Sequence, residues 1–370
     1  MKFSGTIKDK TLRTIADKIS RGIPASADDA RRMFTTNDII GLGTIAHGVR
    51  TALNGRATYY GVNMNLNYTN ICELRCPLCA FSCDEGDDRA FLLSIDEIGR
   101  RGRAAYESRG IDEVHIVGGL NPALTLDYFE SMLKTIKCVS PDINIVAFTA
   151  VEYDYFSRKS GLPLEEVFRI LVAAGVDALP GGGAEIFAPA VRGVIAPKKI
   201  SGERWLEVMR TAHRIGLKTN ATMLYNHRES VDDLVDHLSR IRGLQNETGG
   251  FKTFVPLNFH EEHTGIRSKG ASTGFDDIRI YATSRIFLHN VPHIKALWMY
   301  LGDRMAQALQ WFGIDDIGAT YDNEKVVHAA GAETPDFGSE THLVRLITEA
   351  GMTPVRTTAR YSDIARRTAP

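Results

Sequence analysis

YGVNMNLNYTNICELRCPLCAFSC, residues 60–83, decides how the rest of the chain is read. Its first nine residues form a β-like run that ends near Asn67. The loop that follows carries four of the chain's five cysteines, Cys72, Cys76, Cys79 and Cys83, with gaps of three, two and three residues between them. Upstream the texture is helical: TLRTIADKIS, SADDARRMF and DIIGLGTIAHGVRTALNG space apolar residues by three or four, with Ser26 and with Asn37 and Asp38 as caps. Downstream, short β-like runs alternate with longer amphipathic segments, and most runs end in Gly, Pro or Asn. The candidate strands are YGVNMNLNY, DEVHIVGG, NIVAFTAVE, DALPGG, TNATMLYN, GFKTFVPLNF, PHIKALWMYLG and IDDIGATY.

Eight strand–helix pairs predict an α/β fold, a (β/α)8 TIM-type barrel, over residues 58–321. A helical extension precedes it at 1–57, and a short helix, HLVRLITEAG, with a polar, Arg-rich and partly disordered tail follows at 322–370. The doubly wound open sheet competes, but no Gly-rich dinucleotide fingerprint follows the first strand. A length of 370 residues with 44% hydrophobic content suits one large core. The formal net charge is −1 with no long like-charge block, which argues against a nucleic-acid partner and for a small substrate. The N-terminus lacks the apolar core of a secretory signal and no stretch approaches a membrane span, so a cytoplasmic protein is expected. Cysteines clustered there are kept as thiols, which favours metal ligation or redox chemistry over disulfides. Cys138 stands apart in LKTIKCVSPD and reads as half-buried.

The cysteine loop leaves a strand at its carboxyl end, the face on which barrel enzymes assemble their sites. Three thiolates on one short loop can hold three corners of a cubane iron–sulfur cluster. Structural zinc is the alternative, although no second ligand arm follows at the usual distance. Gly118 and Gly119 end the second strand in HIVGGLNP and let backbone approach a ligand. LPGGGAEIF ends the fourth strand, with three glycines as a backbone nest and Glu185 after them. Cationic or hydrogen-bonding side chains near strand ends are His227, Arg228, His260, Arg192, Lys198 and Lys199, with Tyr225 and Glu229 beside them.

Cys72-x3-Cys76-x2-Cys79 resembles the signature of the radical S-adenosylmethionine (SAM) superfamily. That resemblance implies that Cys72, Cys76 and Cys79 bind a [4Fe–4S] cluster whose fourth iron is chelated by SAM. It also implies that Gly118 and Gly119 receive the SAM amino group and that Glu185 takes the SAM ribose, with Glu152 as second choice. Leu78 stands where an aromatic residue is usual, and Cys83 lies outside the signature. The blocks NYTNICELRCPLCAFS, GDDRAFLLS, HIVGGLNP, AFTAVEYDYF, LPGGGAEIF, TNATMLY, LQNETGGF and FVPLNFH, within residues 30–270, resemble the aminofutalosine synthase family of menaquinone biosynthesis.

The implied reaction adds the 5′-deoxyadenosyl radical from SAM to 3-[(1-carboxyvinyl)oxy]benzoate, giving aminofutalosine, methionine and bicarbonate or CO2. A reducing donor such as flavodoxin or ferredoxin would be the partner. His227, His260 and Arg192 are the expected substrate-handling residues. Departures from the family pattern fall at Asn121, where a histidine is usual, at Asn226 and in EEHTG after His260. The competing readings are cyclic dehypoxanthine futalosine synthase, the deazaflavin-precursor (FO) synthase subunit, and a non-catalytic iron–sulfur or zinc protein.

Overall fold

The alternation of short apolar runs with amphipathic helices folds into parallel strands. In the computed structural model, which describes residues 7–270 and 272–361, these strands are β1 (Ala57–Gly61), β2 (Asn63–Leu66), β3 (Glu113–Ile116), β4 (Asn144–Ala147), β5 (Ala178–Leu179), β6 (Lys218–Tyr225), β7 (Phe251–Asn258), β8 (His293–Ile294), β9 (Asp316–Ala319) and β10 (Thr353–Arg356). Seven of them form one all-parallel sheet in the order β2-β3-β4-β5-β6-β7-β8. β9 closes the curl: Lys295 bridges Asp316 on one side, and Met64 bridges Asp322 on the other. The Ala296 N–H donates to the Asp316 carbonyl at 2.8 Å and the Asn65 N–H to the Asp322 carbonyl at 2.8 Å. Eight staves therefore surround one interior, as in a TIM-type barrel. β6 is buried at seven of its eight positions because helices cover one face and the barrel interior lies on the other.

The crossover helices start and stop where side chains dictate. Ser94, Ser230 and Thr273 cap Ile95–Arg109, Val231–Thr248 and Gly274–Phe287, and the first two helices end at Gly110 and Gly249 with φ of 58° and 59°. Among the described residues, three helices precede the barrel, Lys10–Ser20, Ala27–Thr35 and Ile39–Asn54. Buried Arg50 ties the third to the barrel by donating to the carbonyls of Gly55, Ala57 and Ile314 and to the Thr58 hydroxyl. Among the described residues, no helix is long and apolar enough to cross a membrane.

Three stretches depart from the sequence reading. NIVAFTAVE is a strand only to Ala147; Phe148 turns with φ +63°, and Thr149 caps the helix Ala150–Ser160, so Glu152 lies in a helical first turn rather than at a strand end. PHIKALWMYLG keeps just two strand residues before the helix Trp298–Leu301, since a short apolar run fits either period. The expected tail is built into the fold from 353 to 361, while 362–370 lie outside the described residues. β10 pairs with β1 from Ala57↔Thr353 to Tyr60↔Arg356, in the sheet order β10-β1-β9. Beyond it, Ala359 packs on Val146 and Ala178. The Tyr361 ring stacks on His293 at 3.6 Å, and its hydroxyl donates to Asp316 at 2.7 Å. This segment floors the barrel at the amino ends of the strands. Cys138 is exposed rather than half-buried.

Candidate active site

The loop after β2 is clamped at its neck. The Cys72 N–H donates to the Cys83 carbonyl at 3.1 Å and the Cys83 N–H to the Asn70 carbonyl at 2.9 Å. Arg75, with φ +45°, turns its guanidinium back onto the Ser82 carbonyl. The Glu73 N–H reaches the Leu120 carbonyl at 3.1 Å and the Leu78 N–H the Ile195 carbonyl at 3.2 Å, so the loop is fastened to the segments after β3 and β5. Cys72, Cys76 and Cys79 line a cavity of about 380 Å³, within the range of small-molecule sites. Cys83 is fully buried away from it, and its backbone closes the loop.

Gly118 and Gly119 line the same cavity, directly beside the start of the cysteine loop. A Cβ on Gly119 would lie 2.2 Å from the Ile71 carbonyl oxygen and 3.1 Å from the Cys72 Cβ, so only glycine lets β3 and the cysteine loop meet this closely. Glu152 is spent on holding this corner. It accepts from the Tyr68 hydroxyl at 2.9 Å, the Gly118 N–H at 3.2 Å, and the Thr149 N–H and hydroxyl at 2.7 and 2.8 Å.

Glu185 projects from the glycine loop with φ +48° and is 7% exposed. Lys199 Nζ lies 2.5 Å from its carboxylate. Burial alone would raise this carboxyl; the ammonium and, further off, Arg192 overcome it and hold Glu185 below the usual glutamate value. Burial pushes the free Cys76 thiol up to about 11, with Lys199 pulling the other way. A thiolate there needs added positive charge, as bound iron supplies. Among the described residues, no three His, Cys, Asp or Glu side chains are placed to hold a single metal ion. Three thiols along one cavity wall fit instead a group that takes one thiolate per iron.

The structure separates the remaining candidates. His260 lines the cavity, with Nε2 3.0 Å from the Tyr300 carbonyl. His227 does not: it is fully buried, with Nε2 on the Leu224 carbonyl at 3.0 Å and Nδ1 receiving the Arg228 N–H at 2.7 Å. Its expected contact with substrate is corrected to a role in shaping the turn after β6. Arg192 is corrected likewise, because its guanidinium donates to the carbonyls of Gly183, Ala184, Ile186 and Ile200 and so holds the glycine loop from behind. Tyr225 donates to Asp277 at 2.7 Å, and Glu229 accepts the N–H groups of Asn226 and His227. Arg228 and Lys198 are exposed. Asn121 is buried outside the cavity lining and caps the Ala123 N–H at 2.9 Å, so a residue change there does not alter the wall directly.

Sequence reasoning missed the polar interior of the barrel. Asn63, Asn65 and Asn67 on and just after β2, Glu113 and His115 on β3, Asn220 on β6, Lys252 on β7, and Lys295 and Asp316 all line the same cavity. The available signal was a polar residue at every second position of NMNLN and EVHI, in strands whose other face is apolar.

The Radical SAM superfamily model matches residues 66–241, and that of the CofH/MqnC C-terminal region matches 248–368. Aminodeoxyfutalosine synthase of Thermus thermophilus is 38% identical over 362 residues, 97% of either chain. The corresponding enzyme of Streptomyces coelicolor is 35% identical over 97% of either chain. The 5-amino-6-(D-ribitylamino)uracil–L-tyrosine 4-hydroxyphenyl transferase of Methanopyrus kandleri is 37% identical over 86% of this chain and 88% of its own. Among solved structures, the FeFe-hydrogenase maturase HydG from Carboxydothermus hydrogenoformans superposes with a TM-score of 0.75 at 18% identity, over 95% of this chain and 80% of its own. Methylornithine synthase (PylB) gives 0.74 at 15%, over 92% and 97%.

Proposed function

This chain belongs to the radical SAM superfamily, and from that membership we propose that it is an aminofutalosine-forming transferase acting on 3-[(1-carboxyvinyl)oxy]benzoate. It is an enzyme whose cofactors are a [4Fe–4S] cluster and SAM. With both bound, the chemistry supplied is reductive cleavage of SAM to methionine and a 5′-deoxyadenosyl radical.

The chain's own residues have four tasks in this reading. Cys72, Cys76 and Cys79 hold the cluster on a loop whose neck is tied by backbone hydrogen bonds. Gly118 and Gly119 admit the amino-acid end of SAM, with Gly118 fixed through Glu152. Glu185, kept ionised by Lys199, accepts hydrogen bonds from the ribose hydroxyls. His260 and Tyr300 wall the cavity and exclude water from the substrate. Addition of that radical to the enol-ether carbon, aryl migration and decarboxylation would give the product once one electron is returned to the carrier that supplied it for SAM cleavage, so no net oxidant is needed.

One observation carries the reading: the cysteine loop, the Gly118–Gly119 turn and Glu185, from three separate strand ends, line a single cavity. The choice of substrate is supported by 38% identity to a relative named aminodeoxyfutalosine synthase over nearly the whole chain. A second reading, transfer of a 4-hydroxyphenyl group from L-tyrosine to 5-amino-6-(D-ribitylamino)uracil, is supported by the 37% identity of the Methanopyrus kandleri relative. Anaerobic incubation of reconstituted enzyme with dithionite, SAM and either substrate set, read by mass spectrometry, separates the two. Aminofutalosine is the expected product. An adduct formed only from tyrosine and the ribitylaminouracil would replace the first reading with the second.

A further inference from the structure

The deep end of the cavity, between the SAM-facing residues and the floor, holds groups that the reaction so far leaves without a task. Asp316 and Lys295 satisfy each other there. Lys295 Nζ is 3.2 Å from Asp316, which also accepts from the Tyr361 hydroxyl at 2.7 Å and the Gly318 N–H at 2.6 Å. Lys252 differs. It is 8% exposed, and its ammonium donates to the neutral side-chain oxygen of Asn220. Among the described residues, no carboxylate lies within salt-bridge distance of it. Lys252 and Lys295 approach one aromatic ring, 5.8 and 6.0 Å from the Tyr361 centroid, and of the two only Lys295 has a carboxylate in direct contact.

Facing them from β3 are Glu113 and His115, two residues apart on the inward side of the strand. Among the described residues, neither side chain makes a hydrogen bond or a close ion pair. Burial raises the Glu113 carboxyl while Lys295 and Lys252 pull it the other way, and burial together with the two lysines lowers His115 to about 4, so its imidazole is uncharged at neutral pH. Burial and the neighbouring Lys295 also depress Lys252, to about 7. A buried ammonium with no carboxylate in direct contact is unfavourable, and fold stability alone would select a neutral residue. An arriving carboxylate would supply a direct partner for it, and the His115 ring N–H can donate to the same group.

We propose that the deep end of the cavity is a carboxylate subsite, in which Lys252, positioned by Asn220, binds a carboxylate of the substrate with Glu113 and His115 beside it. This deepens the reading above and rests on it for the identity of the substrate, not for the site. The subsite holds one end of the molecule at the floor and leaves its other end toward the cysteine loop.

The test is equilibrium binding to the reconstituted holoenzyme with SAM, using isophthalate, its neutral analogue isophthalamide, and L-tyrosine as probes, against wild type, Lys252→Met and Lys252→Arg. Lys252→Met is expected to weaken isophthalate about tenfold or more and to leave isophthalamide within about twofold, while Lys252→Arg retains most of the affinity. Equal losses for isophthalate and isophthalamide, or no loss for either, overturn the subsite. So does a wild-type protein that does not prefer isophthalate to isophthalamide, a result independent of how the variants fold. Tighter binding of L-tyrosine than of isophthalate, lost in Lys252→Met, supports the subsite and instead displaces the aminofutalosine reading.

Discussion

Gly119→Ala tests the geometry on which the site depends. The added Cβ would sit 2.2 Å from the Ile71 carbonyl oxygen and 2.8 Å from its carbon, both backbone atoms that no rotamer change can move aside. Real Cβ contacts essentially never fall under 3.0 Å, so strand and loop must part by at least 0.8 Å, the difference between 3.0 and 2.2 Å. The loop that parts carries Cys72, whose Cβ is the next atom met, at 3.1 Å. Overpacking of this kind costs about 1–3 kcal/mol of stability, a modest fall for so large a core. A displacement of about 1 Å at a reacting centre costs on the order of 100-fold in rate. The expected variant therefore folds, binds less iron, and forms 5′-deoxyadenosine from SAM about 100-fold more slowly than wild type. Gly86→Ala is the control, since a Cβ at Gly86, in the same loop, meets nothing within 4 Å. Iron analysis and anaerobic 5′-deoxyadenosine assays of the two variants decide the matter. A Gly119→Ala enzyme that cleaves SAM within about threefold of wild type would refute the close approach.

Two further variants probe neighbouring groups. Cys76→Ala should abolish both cluster and SAM cleavage, whereas Cys83→Ala, which leaves the backbone clamp at Cys72 and Asn70 in place, should keep both; equal losses, read by iron content and absorbance, would contradict the three-ligand assignment. Lys199→Met removes the main cation that holds Glu185 below the usual glutamate value, so burial counts for more and the carboxyl titrates higher than in wild type. Because the ionised form is the acceptor, KM for SAM in the variant should rise as pH falls through a value at which wild type is unaffected; superimposable pH profiles would remove Glu185 from SAM binding.

Much of the fold was legible because its signals are local. Ser94 and Ser230 with the glycines after their helices mark the crossovers, and the cysteine spacing marks the end of β2. The errors have local causes too. Thr149 and Glu152 form a capping box inside an apolar run, and strand propensity hid the helix that it starts. Residue type also cannot tell whether a side chain's hydrogen-bonding capacity is free. Arg192 and His227 looked like substrate ligands by chemistry, yet backbone groups occupy them: carbonyls eight and nine residues away for Arg192, and the Leu224 carbonyl and the adjacent Arg228 N–H for His227. The deep lysine and its neighbours come from four separate strands and the residue that follows a fifth, and no window of sequence brings them together. β10 was invisible for the same reason, since its partner β1 lies almost 300 residues earlier.

That separation has a consequence for biosynthesis. The segment spanning β1 and β2 is made early, but its partners at 316–322 and 353–356 emerge only after every crossover helix of the barrel has been translated. A nascent chain that ends before residue 316 presents two open parallel edges, β2 and β8, with their backbone donors and acceptors unpaired. Contacts this distant in sequence form slowly, and exposed strand edges are where chains associate with one another. Truncated or stalled forms of this protein should therefore depend on chaperones far more than the finished chain does, and expression trials that shorten it from the carboxyl side should yield aggregates before they yield inactive enzyme.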